Sequence, residues 1–569
     1  MLPGFIHSEG ARTLVLVFHG IGTRLEPLAP LVETIRAELR SDGDIWMPPR
    51  WSGVFSNADA AGITRDAALE VDQLMDAYRF ERIIVVGYSA GGIFARKFVV
   101  YANGEEANAP FEAEAKKGVG YPRAWASKIE RVILLAGMNR GWEFAPTVNP
   151  FKLMLIRFAY MLLRIFPGIT LMASLRRGAP FVADLRNQWL SLSRRGALEN
   201  LLVVQILGTI DDVVSPEDNI DTETGSNFVY LDVPGSGHDN VRDFNDKRFG
   251  SRRREAFLAA FRDDRETLKA RQVPPPPPEY PVDPSVHHVL FVIHGIRDYG
   301  FWTAHLARHV VAAAQQQGVS IMPLTPKYGY FAMLPFIIPS TRLAKIRWFM
   351  DQYTEALARF PNATRFSYIG HSNGTYLLAG ALRDYRTCHF DRVLFAGSVV
   401  RSDFSWQDYI DAGRVRAVLN YVADADWVVA IFPRFLATLG ADVGGAGWEG
   451  FTPKPPSSTE PVNDVKYVDG GHGAALREQH WNDIASFIIG QPVLLPPSGR
   501  HDFLIGFLAR ISPLVWLVLI GVILLPPFCW ISPWPIPGLR WLVPDWSFGG
   551  RAFLSFLWLM LMRFILTRV

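Results

Sequence analysis

Two kinds of hydrophobic pattern alternate along the chain. TLVLVFHGIGT at 13–23 and HHVLFVIHGIRD at 287–298 are continuous apolar runs ending in His-Gly. Runs of this length without alternation predict strands buried on both faces, as in a parallel sheet covered by helices. LAPLVETIRAELR and WTAHLARHVVAAAQQQ follow them and carry the three-to-four-residue period of amphipathic helices. RIIVVGYSAGGIFARKF at 82–98 and RFSYIGHSNGTYLLAGAL at 365–382 then pass from a strand-like run, through a serine flanked by glycines, into a helix-like run. Further strand-like stretches come in matching pairs: ERVILLAGMN with DRVLFAGSVV, NLLVVQILGTIDDVV with RVRAVLNYVADADWVV, and NFVYLDVPGSGHDNV with DVKYVDGGHGAAL. Strands alternating with helices predict an α/β fold with a mostly parallel sheet. The repeated order predicts the same fold twice, by duplication.

Prolines divide these layouts. VPPPPPEYPVDP at 273–284 is a stiff polyproline spacer without the donors a sheet or helix needs. A weaker break, GQPVLLPPSGR at 490–500, precedes the tail. The expected organisation is one domain over 1–272, the linker 273–284, a second domain over 285–490 and a membrane-anchoring segment over 500–569. In that segment ISPLVWLVLIGVILLPPFCWI at 511–531 is uncharged and long enough to span a bilayer. AFLSFLWLMLMRFILT at 552–567 is shorter and carries Arg563, which can snorkel to an interface, so the pair reads as a transmembrane hairpin. The first residues lack a basic region followed by an apolar core, which argues against a secretory signal and for a cytoplasmic bulk.

Composition refines this only slightly. Hydrophobic residues at 49% and charged residues at 20% fit a folded protein with a membrane-embedded part. A net charge of +3 gives no case for nucleic-acid binding. Cys388 and Cys529 are the only cysteines and fall in different expected segments, so a reducing compartment is expected and no disulfide framework. With no H-e-x-x-H and no paired C-x-x-C in the chain, neither metal nor cofactor is expected.

The chemistry lies at the two serines. A serine hydroxyl is a poor nucleophile until a base takes its proton and the backbone holds it in the line of attack. A tight strand-to-helix turn pushes the side chain out above the sheet but crowds the positions two residues away. Gly87 and Gly91 around Ser89, and Gly370 and Gly374 around Ser372, relieve that crowding. The following helix points its N-terminus at the place where negative charge develops.

This G-x-S-x-G elbow resembles that of the α/β-hydrolase superfamily, over about 12–245 and 287–480. The resemblance implies two tandem α/β-hydrolase domains and the chain order Ser, acid, His. It therefore implies a triad of Ser89, Asp211 and His238 in the first half and of Ser372, Asp426 and His472 in the second. Each half offers two acids; the shared frame D-x-V-V favours Asp211 over Asp212 and Asp426 over Asp424. By likeness to lipases with an H-G-x loop, the oxyanion donors are the backbone N–H groups of Ile21 and Ala90, and of Ile296 and Asn373. His19 and His294 are expected to fix that loop rather than to react.

Spacing separates the halves. Ser89 and Asp211 are 122 residues apart, Ser372 and Asp426 only 54. The surplus falls where lipases carry lids, at about 144–190. From Phe144 to Ala183 it holds Lys152, Arg157, Arg164, Arg176 and Arg177 and no acid. That pattern reads as an amphipathic cap drawn to anionic headgroups. The expected activity is a membrane-associated serine hydrolase cleaving carboxylic esters of lipophilic substrates, its partners being lipid and membrane. An acyl-thioesterase or transacylase would use the same residues, and a membrane-tethered scaffold with inactive hydrolase folds is the reading from another class.

Overall fold

The continuous apolar runs fold into the central strands of two parallel sheets. The computed structural model describes residues 5–21, 28–48, 56–142, 170–209, 228–272, 281–452, 462–493, 500–531 and 547–568. By internal contacts the chain divides into two units. The first is Met1–Asp283 with Met350–Pro361 and Asp384–Thr387; the second is Pro284–Phe349 with Asn362–Arg383 and Cys388–Val569. Most of the expected linker, 273–280, lies outside the described residues.

In the first unit the strands are β1 (Phe5–Ile6), β2 (Thr13–Phe18), β3 (Gly43–Trp46), β4 (Arg82–Tyr88), β5 (Ile129–Leu135), β6 (Leu202–Gly208) and β7 (Phe228–Val233). Their spatial order is β1-β3-β2-β4-β5-β6-β7; β1 pairs antiparallel at the edge and the rest are parallel. Side chains alternate across the sheet with the two-residue period. Leu14, Leu16 and Val85 join one apolar layer with Ile93, Phe94 and Phe98 of the helix Gly91–Asn103. Val15, Val17, Ile84 and Val86 join the opposite layer with Leu31, Ile35 and Phe257. Because β3 and β4 flank β2 on opposite sides, the connections diverge there, and the carboxyl ends of β2 and β4 mark the switch point at which open parallel sheets place their sites.

In the second unit β8 (His288–Ile293), β9 (Met322–Leu324), β10 (Arg365–His371), β11 (Phe390–Ala396), β12 (Val415–Ala423) and β13 (Asn463–Val468) lie in the order β13-β12-β11-β10-β8-β9. All neighbours are parallel. Read from the other edge, this is the order of β3 to β7 in the first unit, with β8 standing where β2 does and β10 where β4 does. The switch point therefore recurs beside β10.

Of the long insert, residues 143–169, with Lys152, Arg157 and Arg164, lie outside the described residues. Within the range expected for the lid, the helix Pro180–Arg194 is a core element. Phe181, Leu185, Trp189 and Leu192 form its buried stripe, and it packs on the helix after Ser89. Its buried Gln188 is satisfied by Lys97 Nζ at 2.6 Å and by the Pro110 carbonyl at 2.8 Å.

The tail forms the helices Phe503–Arg510, Ser512–Ile531 and Phe548–Arg568. Ser512–Ile531 is long and apolar enough to cross a membrane, and only 11% of that stretch is buried. Twenty residues at about 1.5 Å each give roughly the 30 Å of a hydrocarbon core. Phe548–Arg568 packs along it, with Trp558 Nε1 donating to the Ile523 carbonyl at 3.2 Å.

Candidate active site

Ser89 follows the last residue of β4 and adopts φ +55°; Ser372 follows β10 with φ +51°. A non-glycine residue in that region stores about 1–3 kcal/mol and persists only where its surroundings hold it. Here each serine N–H is taken by the neighbouring strand: Ser89 by Leu135 O at 2.9 Å, Ser372 by Ala396 O at 3.0 Å. The glycines two residues on are sterically required. A methyl group on Gly91 would stand 2.1 Å from Phe18 O, and one on Gly374 2.6 Å from Ile293 O.

In the first unit the elbow meets the loop after β7. Ser89 Oγ lies 2.8 Å from His238 Nε2, and both side chains are buried. Tyr88 anchors that loop, its hydroxyl donating to the His238 carbonyl at 3.2 Å. The Arg242 guanidinium covers the Tyr88 ring at 4.2 Å. Asp211 and Asp212 lie outside the described residues.

The second unit brings together the other pair. His472 Nδ1 lies 2.9 Å from Asp426 Oδ2, and Asp426 is fully buried. Its Oδ1 accepts from Val429 N at 3.1 Å, so the same carboxylate caps the helix Trp427–Thr438. Asp424 is engaged elsewhere, accepting from Gly470 N at 2.8 Å. Among the described residues no hydrogen bond joins Ser372 Oγ to His472.

Parallel pairing sets side by side the strands that lead to the expected oxyanion donors. Phe18 stands opposite Gly87 and Ile293 opposite Gly370, so the segment carrying Ile21 borders Ala90, and that carrying Ile296 borders Asn373. The two histidines of these loops make the same contact: His19 Nδ1–H donates to Gly20 O at 2.8 Å and His294 Nδ1–H to Gly295 O at 2.9 Å. In each case the acceptor is a carbonyl, which fixes the tautomer. Burial holds His294 below the ordinary imidazole range, hence uncharged at neutral pH.

Sequence reasoning does not single out Tyr328, which opens the apolar stretch YGYFAMLPFIIPSTR at 328–342. Its hydroxyl lies 2.8 Å from both the His294 and Gly295 carbonyls and accepts from Asn373 Nδ2 at 3.1 Å. Its ring stacks on His294 at 4.2 Å. Burial raises its pKa, so the hydroxyl stays protonated and able to donate.

Gly295 abuts the elbow so closely that a methyl group there would come within 2.7 Å of Ser372 Cβ. Gly295→Ala should therefore displace the loop or the serine by a substantial fraction of an ångström. The expected outcome is about a hundredfold slower fluorophosphonate labelling of Ser372, measured in a Ser89→Ala background.

His371 precedes the second serine; its ring lies 4.8 Å from that of His472, and its Nε2 is 3.2 Å from the His472 carbonyl. Burial, reinforced by the neighbouring His472, lowers its pKa to about 3. An unfolded histidine takes up its proton near pH 6.5. Between there and about pH 3 the unfolded chain binds the extra proton, so folded stability declines as pH falls through that window. Urea titrations of the full chain should show an earlier midpoint at pH 5 than at pH 7, and His371→Phe should shrink the difference.

No family model and no curated protein sequence matches the chain. Among solved structures it is similar to a monoacylglycerol lipase from Paleococcus ferrophilus, with 15% identity over 47% of this chain and 98% of that one at a TM-score of 0.28. Phospholipase PlaB from Legionella pneumophila shows 14% identity over 46% of this chain and 62% of that one, TM-score 0.33. Carboxyl esterase 2 from Tuber melanosporum shows 11% identity over 47% and 82%, TM-score 0.31.

Proposed function

We propose that the chain is a membrane-associated serine hydrolase whose two tandem α/β-hydrolase units cleave carboxylic esters of lipophilic substrates. The observation that carries this reading is Ser89 Oγ at 2.8 Å from His238 Nε2 on a strained strand-to-helix turn. In that geometry His238 removes the serine proton as Ser89 attacks the ester carbonyl, then delivers it to the departing alkoxide. The N–H groups of Ile21 and Ala90 receive the oxyanion. Water, activated by the same imidazole, then releases the acid. Asp211 is assigned to hold His238, because it shares the D-x-V-V frame of Asp426, whose carboxylate contacts His472. In the second unit Ser372, His472 and Asp426 take the corresponding roles, with Ile296 and Asn373 as oxyanion donors.

The lipophilic substrate and the membrane setting rest on the tail. Ser512–Ile531 carries exposed Leu517, Val518, Ile520, Val522 and Phe528, surface that water disfavours and lipid accepts. With Phe548–Arg568 it makes a hairpin that anchors the catalytic units at the cytoplasmic face.

A second reading is favoured by one observation. The second unit has its His–Asp pair but no Ser372–His472 bond, which suits a unit that binds an ester or a partner without turning it over. Treating wild type, Ser89→Ala, Ser372→Ala and the double variant with a fluorophosphonate probe separates the cases. Labelling lost only in the double variant means two activated serines; labelling lost in Ser89→Ala alone means a silent second unit. An unlabelled wild type would overturn the hydrolase reading.

A further inference from the structure

The second unit exposes a group of aromatic rings that the serine chemistry leaves unexplained. Tyr299, Phe301 and Tyr330 are 57%, 72% and 40% exposed. The Tyr299 ring lies 6.1 Å from Phe301 and 5.6 Å from Tyr330, centroid to centroid, and Lys327 Nζ sits 4.9 Å from the Phe301 ring. Scattered surface aromatics are ordinary, but three joined through Tyr299, with a lysine over Phe301, form a patch.

Its position in the unit is specific. The rings border the loop between β8 and the helix Phe301–Gln316, the loop that holds Ile296. Arg297 N donates to Phe331 O at 2.9 Å, and the Tyr328 hydroxyl meets the His294 and Gly295 carbonyls. Segment 328–331 and loop 294–301 are thus fastened together. Immediately beyond, the short helix Met333–Ile337 packs against Phe548–Arg568 of the apolar tail. The tail also grips the element bearing the acid: Trp427–Thr438, capped by Asp426, packs on Phe503–Arg510 and Ser512–Ile531. There Trp516 Nε1 donates to Ile431 O at 3.1 Å, and its ring lies 5.2 Å from Phe432.

We propose that Tyr299, Phe301 and Tyr330 sit in the headgroup zone of the bilayer that Ser512–Ile531 crosses, and that the second unit takes its ester from membrane lipid through this face. The proposal rests on the membrane-hydrolase reading above. A bilayer is the occupant because the patch is linked, through Met333–Ile337, to a tail that holds a helix long and apolar enough to cross a membrane and mostly exposed. Tyrosine rings combine an apolar body with a polar tip and favour that zone, and Lys327 can lie along the Phe301 face with its ammonium in water. Lipid entering here would arrive beside the loop that receives the oxyanion.

The test uses the full chain in phosphatidylcholine vesicles, with Cys388 and Cys529 replaced by alanine. A nitroxide is attached at Phe301→Cys or at Gln315→Cys, about 21 Å away along the same helix. The label at 301 should be more accessible to oxygen than to a water-soluble nickel complex, and the label at 315 the reverse. The same aqueous preference at both positions overturns the proposal. In a Ser89→Ala background, the triple variant Tyr299→Ser, Phe301→Ser, Tyr330→Ser should hydrolyse vesicle lipid at least about tenfold more slowly while Ser372 keeps its labelling rate. An unchanged vesicle rate also overturns it. A wild-type Ser372 that takes no label counts against the hydrolase reading of that unit alone, and the depth measurement still decides where the patch sits.

Discussion

Ser89→Ala, made in a Ser372→Ala background, should lower kcat/KM toward a short-chain ester by about 10⁴-fold or more. The size follows from the chemistry: without the hydroxyl no acyl-enzyme forms, and only weak catalysis from the oxyanion donors and from binding remains. The fold should survive. Alanine bears the same strain as serine at φ +55° and loses one buried hydrogen bond, a cost of about 1 kcal/mol. Ser89→Gly separates the two effects. Glycine adopts positive φ freely, so this variant should be equally inactive yet more stable than Ser89→Ala by about 1 kcal/mol. Urea midpoints of the two variants measure the difference. A Ser89→Ala protein whose first unit still takes a fluorophosphonate label would remove Ser89 as nucleophile. Because Ser89 is already bonded to its histidine and Ser372 is not, labelling of the wild type should proceed faster at Ser89.

Local signals made the elbows legible. Gly-x-Ser-x-Gly lies within one turn, and part of its cause lies there too: a methyl group on Gly87 would stand 2.6 Å from Gly91 O. The parallel sheets were legible because continuous apolar runs leave few alternatives. What stayed hidden depends on segments distant in sequence and without periodicity. Tyr328 braces a loop more than thirty residues upstream. Gly397, at φ +55°, leaves room for the His472 ring, which a methyl group there would approach to 2.8 Å. Nothing in AGS at 396–398 announces that neighbour. The insert shows the opposite difficulty: its apolar and basic pattern suggests a cap facing lipid, but apolar residues suit a protein core equally well, and those of Pro180–Arg194 face the helix behind Ser89.

Asp426→Asn should lower the kcat/KM of the second unit by about 10⁴-fold while leaving its stability nearly unchanged. The two oxygens of Asp426 do separate jobs, which makes the substitution informative. Oδ1 accepts from Val429 N and caps Trp427–Thr438; Oδ2 meets His472 Nδ1. Asparagine caps a helix about as well as aspartate, so the first job is kept. A neutral amide cannot stabilise the imidazolium that forms as His472 takes the serine proton, and it can hold the ring in the wrong tautomer. Asp426→Ala loses both jobs and should cost about 1 kcal/mol more in stability through the missing cap. Asp424→Asn is the control, since that carboxylate bonds Gly470 N rather than the imidazole, and its activity should stay within a fewfold of wild type. Assays with a short-chain ester in a Ser89→Ala background, paired with urea midpoints, read activity and stability separately. Equal losses in Asp424→Asn and Asp426→Asn, or full activity in Asp426→Asn, would place the acid elsewhere and would remove the ground for assigning Asp211 by its shared frame.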